Sequence, residues 1–484
     1  MLFPTATFAA FFTLVFPLSW ALRERAMPWR ALMLAASYAF YGWWDARFIL
    51  LLVASSVVNW ALARAMDRRD GMRRRAYLAL GVAFNIGLLA FFKYAGFLAL
   101  SLRSLLAALG TTTALPALDA ATSPLQAIIL PVGISFFTFQ ALSYAIDVYR
   151  RDIAPVGLLD FALFLAFFPQ LVAGPIVRAS EFLPQLRTIR WLTRADASRA
   201  ALLVGAGVFK KVAVSSYLAG AIVDPVFGNP GAFSAPELLV AVYAYAVQIY
   251  ADFSGYTDIA IGVALLLGFR FPQNFDRPYA AVSIRDFWRR WHMTLSRWLR
   301  DYLYVPLGGS RKGTLRTYAN LLITMALGGL WHGAALTFLA WGVLHGAALA
   351  VERALARRLR PNGAPLGGLA ALAATIATFH VVCAGWILFR SPSFEGAATV
   401  FARLASAWGA PPGGAAGSLA TPAVCAVIAA MLALQLAPRE ALRHAASAYR
   451  ALPPLAQGAL LGAWIFLAFV LSPEGVAPFI YFRF

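Results

Sequence analysis

The sequence carries little charge. Asp, Glu, Lys and Arg make up 13% of its 484 residues, whereas 61% are hydrophobic and the mean hydropathy is +0.70. A soluble domain of this length needs more polar surface than that to cover its core. The composition therefore excludes a soluble enzyme and predicts an integral membrane protein.

Cysteine is equally scarce. The two cysteines, Cys383 and Cys425, lie far apart in separate apolar segments. Such spacing supplies neither a disulfide framework nor a cysteine-based metal site. Both are expected to be packing residues, and the sequence predicts no metal site and no bound cofactor.

Acidic residues are outnumbered by basic ones, 21 against 41, which gives a net charge of +20. The basic residues are dispersed among short segments between apolar runs, whereas nucleic-acid binding needs them gathered on one face. Dispersed arginines are typical of topology signals and of contacts with lipid headgroups. Membrane lipids are therefore a predicted partner, and nucleic acid is not.

Long apolar runs occur throughout the chain. A run of roughly 20 residues crosses the hydrocarbon layer as a helix, because a helix satisfies its own backbone amides. We therefore predict an all-α polytopic membrane protein of about eleven spanning helices, with additional re-entrant and interfacial amphipathic helices. Beyond a first hairpin, the runs lie at about 76–92, 94–108, 126–148, 159–177, 200–226, 236–268, 318–331, 333–352, 366–389, 420–436 and 455–472.

Two basic blocks indicate the orientation. Residues 23–30 and 64–75 are rich in arginine, and the apolar hairpin between them has its tip at 41–47. Because arginine-rich segments stay in the cytoplasm, both blocks are expected inside and the tip outside. The apolar run 2–22 has no positive charge before it, so it does not fit a cleaved signal peptide, and Met1 is expected outside.

Carboxylates interrupt one of the apolar runs. Asp252 and Asp258 lie in the string DFSGYTD, where Gly255 is expected to break the helix. An acid at the bilayer centre costs roughly 3 kcal/mol, so such residues face a protein interior or an aqueous cavity. Two interpretations remain open: a structural hydrogen-bond network at a helix break, or the lining of a reaction chamber.

A polar stripe runs along segment 131–150. Gln140, Ser143, Tyr144 and Asp147 recur there at spacings of three and four, which places them on one helix face. Downstream, the prolines and glycine of FFPQLVAGPIVR (167–178) indicate a kinked segment that is packed inside the protein or lines a pore and does not face lipid.

The segment 284–304 has the pattern of an amphipathic helix. On a helical wheel its aromatic and leucine residues fall on one arc and its arginines on the opposite side. This pattern predicts one continuous helix at a membrane interface, with its aromatic face inward and His292 at the seam. The arc comprises Trp288, Trp291, Leu295, Trp298, Leu299 and Tyr302, and the arginines are Arg289, Arg290, Arg297 and Arg300.

His332 is the strongest catalytic candidate. It follows Trp331 in an apolar stretch that has no charged residue between Arg316 and His345. An imidazole in such surroundings stays neutral, which is the state that a general base requires. His292 at an interface, and His345 in WGVLHG, have weaker cases on position alone.

Several strings within 130–346 resemble the membrane-bound O-acyltransferase family, specifically the bacterial branch of the alginate O-acetylation membrane protein. They occur in the family's order, and agreement of several long strings is far more specific than one short motif. The strings are PVGISFFTFQALSYAIDVYR, FFPQLVAGPIVR, QIYADFSGYTDIAIG, NFDRPY, SIRDFWRRWHMTLSRWLRDYLYVPLGG and GLWHGAALTFLAWGVLHG.

The resemblance implies a polytopic fold in which a deep His transfers an acyl group from a cytoplasmic thioester to a hydroxyl. By this resemblance His332 matches the essential His, and His292 matches a second position that is Asn in many eukaryotic relatives. The chain is then one membrane domain over 1–484, with N-terminal helices at 1–129, the family core at 130–346 and unmatched helices at 347–484.

The resemblance also implies substrates and partners. The expected donor is acetyl-CoA or another acyl thioester such as an acyl carrier, and the expected acceptor is an exported polysaccharide. A periplasmic acetyltransferase is an expected partner. The expected location is the bacterial cytoplasmic membrane. Direct transfer and relay through the partner remain open, as do D-alanyl transfer to a cell-wall polymer and a transporter with intramembrane acids.

Acyl transfer to an alcohol needs a base near the hydroxyl proton and exclusion of water. His332 is the expected base, and His292 is expected to orient the donor or to stabilise developing negative charge, with Ser296 or Asp252 as support. The arginines of 284–304 either attract an anionic donor or bind headgroups. The residues expected to bind the donor or line its path are Arg289, Arg290, Arg297, Arg300, Ser296, Asp252, Asp258, Gln140 and Trp331.

Overall fold

The computed structural model describes residues 1, 3–110, 129–359, 366–409, 417–471 and 479. Over these residues the secondary structure is helical, without a β-strand. The chain divides into two compact units, Met1–Arg190 and Trp191–Phe484.

The first unit begins with the predicted hairpin. Its helices are joined by a turn at 43–46, where the carboxylate of Asp45 binds the guanidinium of Arg47 at 2.6 Å. Trp43 is 65% exposed and Trp44 is 48% exposed, as expected of residues at a membrane interface. The helices of this unit are α1 Ala6–Leu22, α2 Ala26–Gly42, α3 Arg47–Asp67, α4 Gly71–Leu89, α5 Ala95–Ala108, α6 Ile134–Arg150, α7 Leu158–Ala166, α8 Phe168–Leu171 and α9 Ala179–Phe182.

Two expected spans of the first unit are one helix. The separate runs at 76–92 and 94–108 form a single helical stretch, Gly71–Ala108, in which a π-helical turn at Ala90–Tyr94 replaces the expected boundary. A π-turn inserts one residue without ending the helix, so hydropathy alone does not reveal the continuity. The kinked segment 167–178 is packed inside the unit as expected, with 167–177 buried.

The second unit is built around a 32-residue helix, α13. Its N-terminus is closed by a capping box in which the Ser234 N–H donates to the Glu237 carboxylate at 3.2 Å and the Ser234 side chain accepts from the Glu237 N–H. The helices of this unit are α10 Arg194–Phe209, α11 Ser216–Leu218, α12 Asp224–Gly228, α13 Ala235–Leu266, α14 Ile284–Arg290, α15 Met293–Leu299, α16 Thr314–His332, α17 Leu336–Leu359, α18 Gly368–Arg390, α19 Phe394–Ser406, α20 Pro422–Leu436, α21 Arg439–Ala451 and α22 Pro454–Val470.

Gly255 does not break α13. The helix continues through it, so the expected helix break in DFSGYTD is wrong. A Cβ on Gly255 would lie 2.7 Å from the Gly207 carbonyl oxygen, and a Cβ on Gly207 would lie 2.6 Å from the Gly255 carbonyl oxygen. The two glycines therefore permit a close crossing of α10 and α13 rather than a change of direction.

The length and composition of the helices fit a membrane protein. Among the described residues, six helices are long and apolar enough to span a bilayer, or seven if the bent pair α20 and α21 counts as one span. The expected all-α polytopic membrane fold is confirmed, and the number of about eleven spans is not.

Candidate active site

The segment that carries His292 is not one helix. α14 ends at Arg290, Trp291 is extended, and His292 has a φ of +42°, in the left-handed region, before α15 begins at Met293. The continuous amphipathic helix expected over 284–304 is therefore wrong. The wheel nevertheless assigned the buried face correctly, since Trp291, Leu295, Trp298, Leu299 and Tyr302 are buried and Trp288 is half-buried.

A neighbouring segment satisfies the backbone groups that this break exposes. The Asp276 N–H donates to the Arg290 carbonyl at 2.9 Å, and the Met293 N–H donates to the Asn274 carbonyl at 2.9 Å. Buried backbone groups without such partners would destabilise the fold. Segment 274–276 therefore stabilises the break between α14 and α15 and fixes the position of His292.

His292 is fully buried, and burial lowers its pKa to about 3. Its Nδ1 lies 3.2 Å from Oδ1 of Asn274, an oxygen that also accepts hydrogen bonds from the N–H and the hydroxyl of Thr294. On its other sides the imidazole packs edge-on against Phe253, with ring centroids 4.6 Å apart, and against Trp331 at 6.1 Å. The ring is therefore fixed by a polar contact and by aromatic packing.

His332 is the last residue of α16 and is also buried. Its ring lies among aromatic rings, with centroids 5.0 Å from Trp331, 5.0 Å from Trp341 and 5.2 Å from Phe389. The Trp331 ring contacts both His332 and His292. The structure thus brings the two predicted catalytic histidines to one aromatic cluster.

Three glycines set the position of His332 by allowing α16 and α17 to pack backbone against backbone. A Cβ on Gly329, Gly342 or Gly346 would collide with main-chain atoms of the facing helix. Two helix backbones approach this closely only where no Cβ lies between them. The hairpin therefore holds its connecting loop, and His332 just before that loop, against α17.

A cavity of about 800 Å³ lies beside the cluster. Among the residues that the structure describes, five arginines and one glutamate line it, and its wall includes Trp288, whose ring centroid lies 5.6 Å from that of Trp341. Trp341 in turn contacts His332, so a chain of two rings, Trp288 and Trp341, connects the cavity wall to the imidazole. The charged lining residues are Arg285, Arg289, Arg297, Arg300, Arg353 and Glu352.

Only some of the predicted donor-binding residues line this cavity. Arg289, Arg297, Arg300 and Ser296 line it. Arg290 does not line it and instead binds Asp286 at 3.0 Å on its own helix.

Trp331 and Gln140 also lie elsewhere. Trp331 belongs to the histidine cluster. Gln140 lies on α6 in the first unit, where it is buried and its amide atoms have no hydrogen-bond partner among the described residues.

Asp252 and Asp258 are engaged in ion pairs. Asp252 binds Lys211 and accepts a hydrogen bond from Ser215, and Asp258 binds Lys210. Neither carboxylate lines the cavity. The structure therefore favours the first of the two interpretations of these acids, a structural polar network, although it lies at a helix crossing and not at a helix break.

Several residues of the site were not predicted. Arg285 has only its proximity to the arginine-rich segment as a signal, and Arg353 comes from α17, more than 50 residues later in the chain. Asn274 opens the NFDRPY string, but nothing in that string indicates contact with His292. These contacts depend on tertiary packing, which periodicity does not report.

Comparisons with known proteins identify the family of the chain. The sequence model of the membrane-bound O-acyltransferase (MBOAT) family matches residues 36–365. The chain is 42% identical over 371 residues to the probable alginate O-acetylase AlgI of Pseudomonas aeruginosa, covering 75% of this chain and 67% of that protein. It is 36% identical over 396 residues to the peptidoglycan O-acetyltransferase of Helicobacter pylori, covering 76% and 72%.

A third relative is more distant. The teichoic acid D-alanyltransferase of Bacillus subtilis is 28% identical over 281 residues, which cover 54% of this chain and 69% of that protein. The match of the family model over most of the chain, together with the identity to O-acetylating relatives, decides the class. The chain belongs to the membrane-bound O-acyltransferase family and is a multi-pass membrane O-acyltransferase.

Proposed function

We propose that the protein moves acetyl groups from a cytoplasmic thioester, through the bacterial inner membrane, to hydroxyls of an exported polysaccharide. The observation that carries this proposal is the placement of two buried histidines at one aromatic cluster beside an arginine-lined cavity. Buried imidazoles supply a base, and the cationic cavity supplies a site for a phosphate-bearing donor.

The lining of the cavity supports an anionic donor. Of the described residues, five arginines and one glutamate line a volume of about 800 Å³, and Glu352 is already engaged by the backbone N–H of Arg285 at 3.1 Å. Guanidinium groups bind phosphate oxygens through paired hydrogen bonds. Acetyl-CoA or an acyl-phosphopantetheine carrier has such phosphates next to its thioester, and headgroup binding by the most exposed arginines is the competing role.

His332 then acts as the general base. It takes the proton of the acceptor hydroxyl as the oxygen attacks the carbonyl carbon of the thioester. The new C–O ester bond forms, the C–S bond breaks, and the departing thiolate receives the proton from the imidazolium. Protons balance within one turnover, and the surrounding aromatic rings keep out water that would hydrolyse the donor.

His292 has two compatible roles at this stage, orienting a reactant or stabilising the charge that develops on the carbonyl oxygen. The donor enters from the cytoplasm, where acyl thioesters are made, and the acceptor approaches from the opposite side. The acetyl group passes either directly to the polymer or to a periplasmic acetyltransferase partner that completes the transfer.

The relatives support acetyl over D-alanyl as the transferred group. Both O-acetylating relatives described above are 36% identical or more, whereas the D-alanyltransferase is 28% identical over a shorter region. Membership of an acyltransferase family also argues against the alternative that the protein is a transporter.

Inverted membrane vesicles supplied with radiolabelled acetyl-CoA test the proposal. We expect label in an ester on polysaccharide enclosed in the vesicles, and no label with the His332→Ala variant. Vesicles prepared with and without periplasmic contents distinguish direct transfer from relay, since relay requires those contents. Label transferred at the wild-type rate by His332→Ala vesicles, or no label under any condition, contradicts the proposal.

A further inference from the structure

The contact between His292 and Asn274 determines which imidazole nitrogen of His292 carries the proton. Oδ1 of Asn274 lies 3.2 Å from the backbone nitrogen of Thr294, 2.9 Å from its hydroxyl oxygen and 3.2 Å from Nδ1 of His292. A backbone N–H only donates hydrogen bonds, so the atom that faces it must be an acceptor. The reversed amide would place the Asn274 NH₂ against the Thr294 N–H, two donors facing each other.

The orientation of Asn274 decides the tautomer of His292. A carbonyl oxygen only accepts, so the imidazole nitrogen that contacts it must carry the proton. A neutral imidazole has one proton, which leaves the lone pair on the other nitrogen, Nε2. We infer that Asn274 is a positioning residue that holds His292 as the Nδ1–H tautomer and thereby makes Nε2 a proton acceptor.

This inference rests on the proposed function and narrows it. A neutral His292 whose Nε2 bears the lone pair does not donate to an oxyanion, so of its two roles the orienting one remains. Nε2 accepts a hydrogen bond from a reactant O–H, N–H or S–H group. His292 therefore acts on a reactant that carries a proton, namely the acceptor hydroxyl or the released thiol.

The surroundings of His292 favour the neutral form. The rings in contact with it, Phe253, Phe275 and Trp331, do not titrate. The carboxylates of Asp252 and Asp258 on α13 are paired with Lys211 and Lys210, and that of Asp276, beside Asn274, is paired with Arg439. The hydroxyls of Tyr250 and Tyr256 on α13 and the imidazole of His332 on α16 are further titratable groups on these elements. The three carboxylates are thus neutralised by partners other than His292.

Nitrogen-15 NMR of the histidine-labelled protein in lipid nanodiscs tests the tautomer directly. The chain has five histidines, so the signal of His292 is identified by its loss in the His292→Asn variant. We expect a protonated Nδ1 and an unprotonated Nε2 at neutral pH. A protonated Nε2 overturns the inference, and because this spectrum needs no turnover, that result is distinguishable from a failure of the proposed acetyl transfer.

The Asn274→Asp variant tests the coupling. It preserves the size and the accepting oxygen but adds a negative charge next to Nδ1–H, which stabilises the imidazolium and raises the pKa of His292 by ~1–3 units. The pH at which the nitrogen-15 signal of His292 titrates should move to higher pH by a similar amount. An unchanged titration of this signal contradicts the inference.

The Asn274→Leu variant removes the acceptor at similar volume. We expect a mixture of tautomers in the spectrum and a loss of kcat of ~10²-fold or more, with the KM of the donor unchanged. Gln273→Leu is the matched control, because Gln273 is the preceding residue and bonds only the nearby Phe275 carbonyl among the contacts described. Equal losses in the two variants would make Asn274 a merely structural residue of this loop.

Discussion

The rings of His332 and Trp341 meet edge to face, with centroids 5.0 Å apart and planes at 86°. The His332→Ala variant should fold and insert, because the aromatic packing around it continues through Trp341 and Phe389. We expect it to lose ~10²- to 10⁴-fold in kcat, the usual contribution of a general base. Turnover per folded protein in nanodiscs measures this, with His444→Ala on the exposed helix α21 as the control.

His292 should respond differently to two substitutions. Its left-handed backbone is tolerated by Asn better than by Ala, and an amide keeps an acceptor where an alanine does not. We expect His292→Ala to lower both activity and thermal stability strongly, and His292→Asn to lower activity less. Equal activity of His292→Ala and the wild type would reduce His292 to a packing residue.

The low pKa of His292 predicts a pH-dependent stability. Burial lowers its pKa from 6.5 to about 3, so between these values the unfolded chain binds a proton that the folded protein does not. The stability contributed by neutral His292 is therefore complete above pH ~6.5 and is lost as the pH falls, by up to ~1.4 kcal/mol per pH unit. Thermal unfolding of His292→Asn from pH 7 to pH 4 should show a shallower decline than the wild type. Parallel declines would contradict the shift.

The arginines of the cavity should determine the affinity for the donor. Replacing Arg289 or Arg353 by Ala removes a charge-assisted hydrogen bond worth about 1.5 kcal/mol, so the KM for acetyl-CoA should rise about tenfold with little change in kcat. Arg443→Ala, on the exposed face of α21, is the matched control and should have no effect. If all three variants behave alike, these arginines bind only headgroups.

The pair of Lys211 and Asp252 should act on stability rather than on the donor. Both side chains are 3% exposed, so Asp252→Asn removes the carboxylate that pairs with a buried ammonium, at a cost of about 3–5 kcal/mol. The double variant Lys211→Met with Asp252→Leu should recover most of this loss. Thermal unfolding and the KM for acetyl-CoA are the measurements. A raised KM at normal stability would instead support the sequence-based assignment of Asp252 to donor binding.

A labelling experiment tests on which side of the membrane the donor site lies. In a background lacking Cys383 and Cys425, an impermeant thiol reagent applied outside intact cells should label Ala46→Cys at the exposed hairpin turn and spare Ser310→Cys at the cavity wall. In inverted vesicles Ser310→Cys should be labelled, and acetyl-CoA should protect it. The opposite pattern would invert the topology and remove the proposed route of the donor.

The sequence predicted the all-helical membrane fold and singled out the two histidines as candidates, because both leave local signals. Apolar runs identify the helices, and the isolated His332 stands out in its apolar stretch. The break at His292 leaves no such signal, since the aromatic periodicity continues through it while segment 274–276 supplies the compensating hydrogen bonds. The pairing of Lys211 with Asp252, and the arrival of Arg353 in the cavity, likewise join residues 40 or more positions apart. Only packing determines these contacts.

The glycine contacts between α16 and α17 also bear on motion during turnover. Main chain that touches main chain has no flexible side chains to absorb a shift, so the two helices move as one rigid body and His332 moves with them. The break at His292 is different, because two short helices meet there and are held by a few hydrogen bonds. Opening and closing of the path to His332 during a catalytic cycle is therefore expected on the α14–α15 side, while His332 stays fixed relative to α16 and α17.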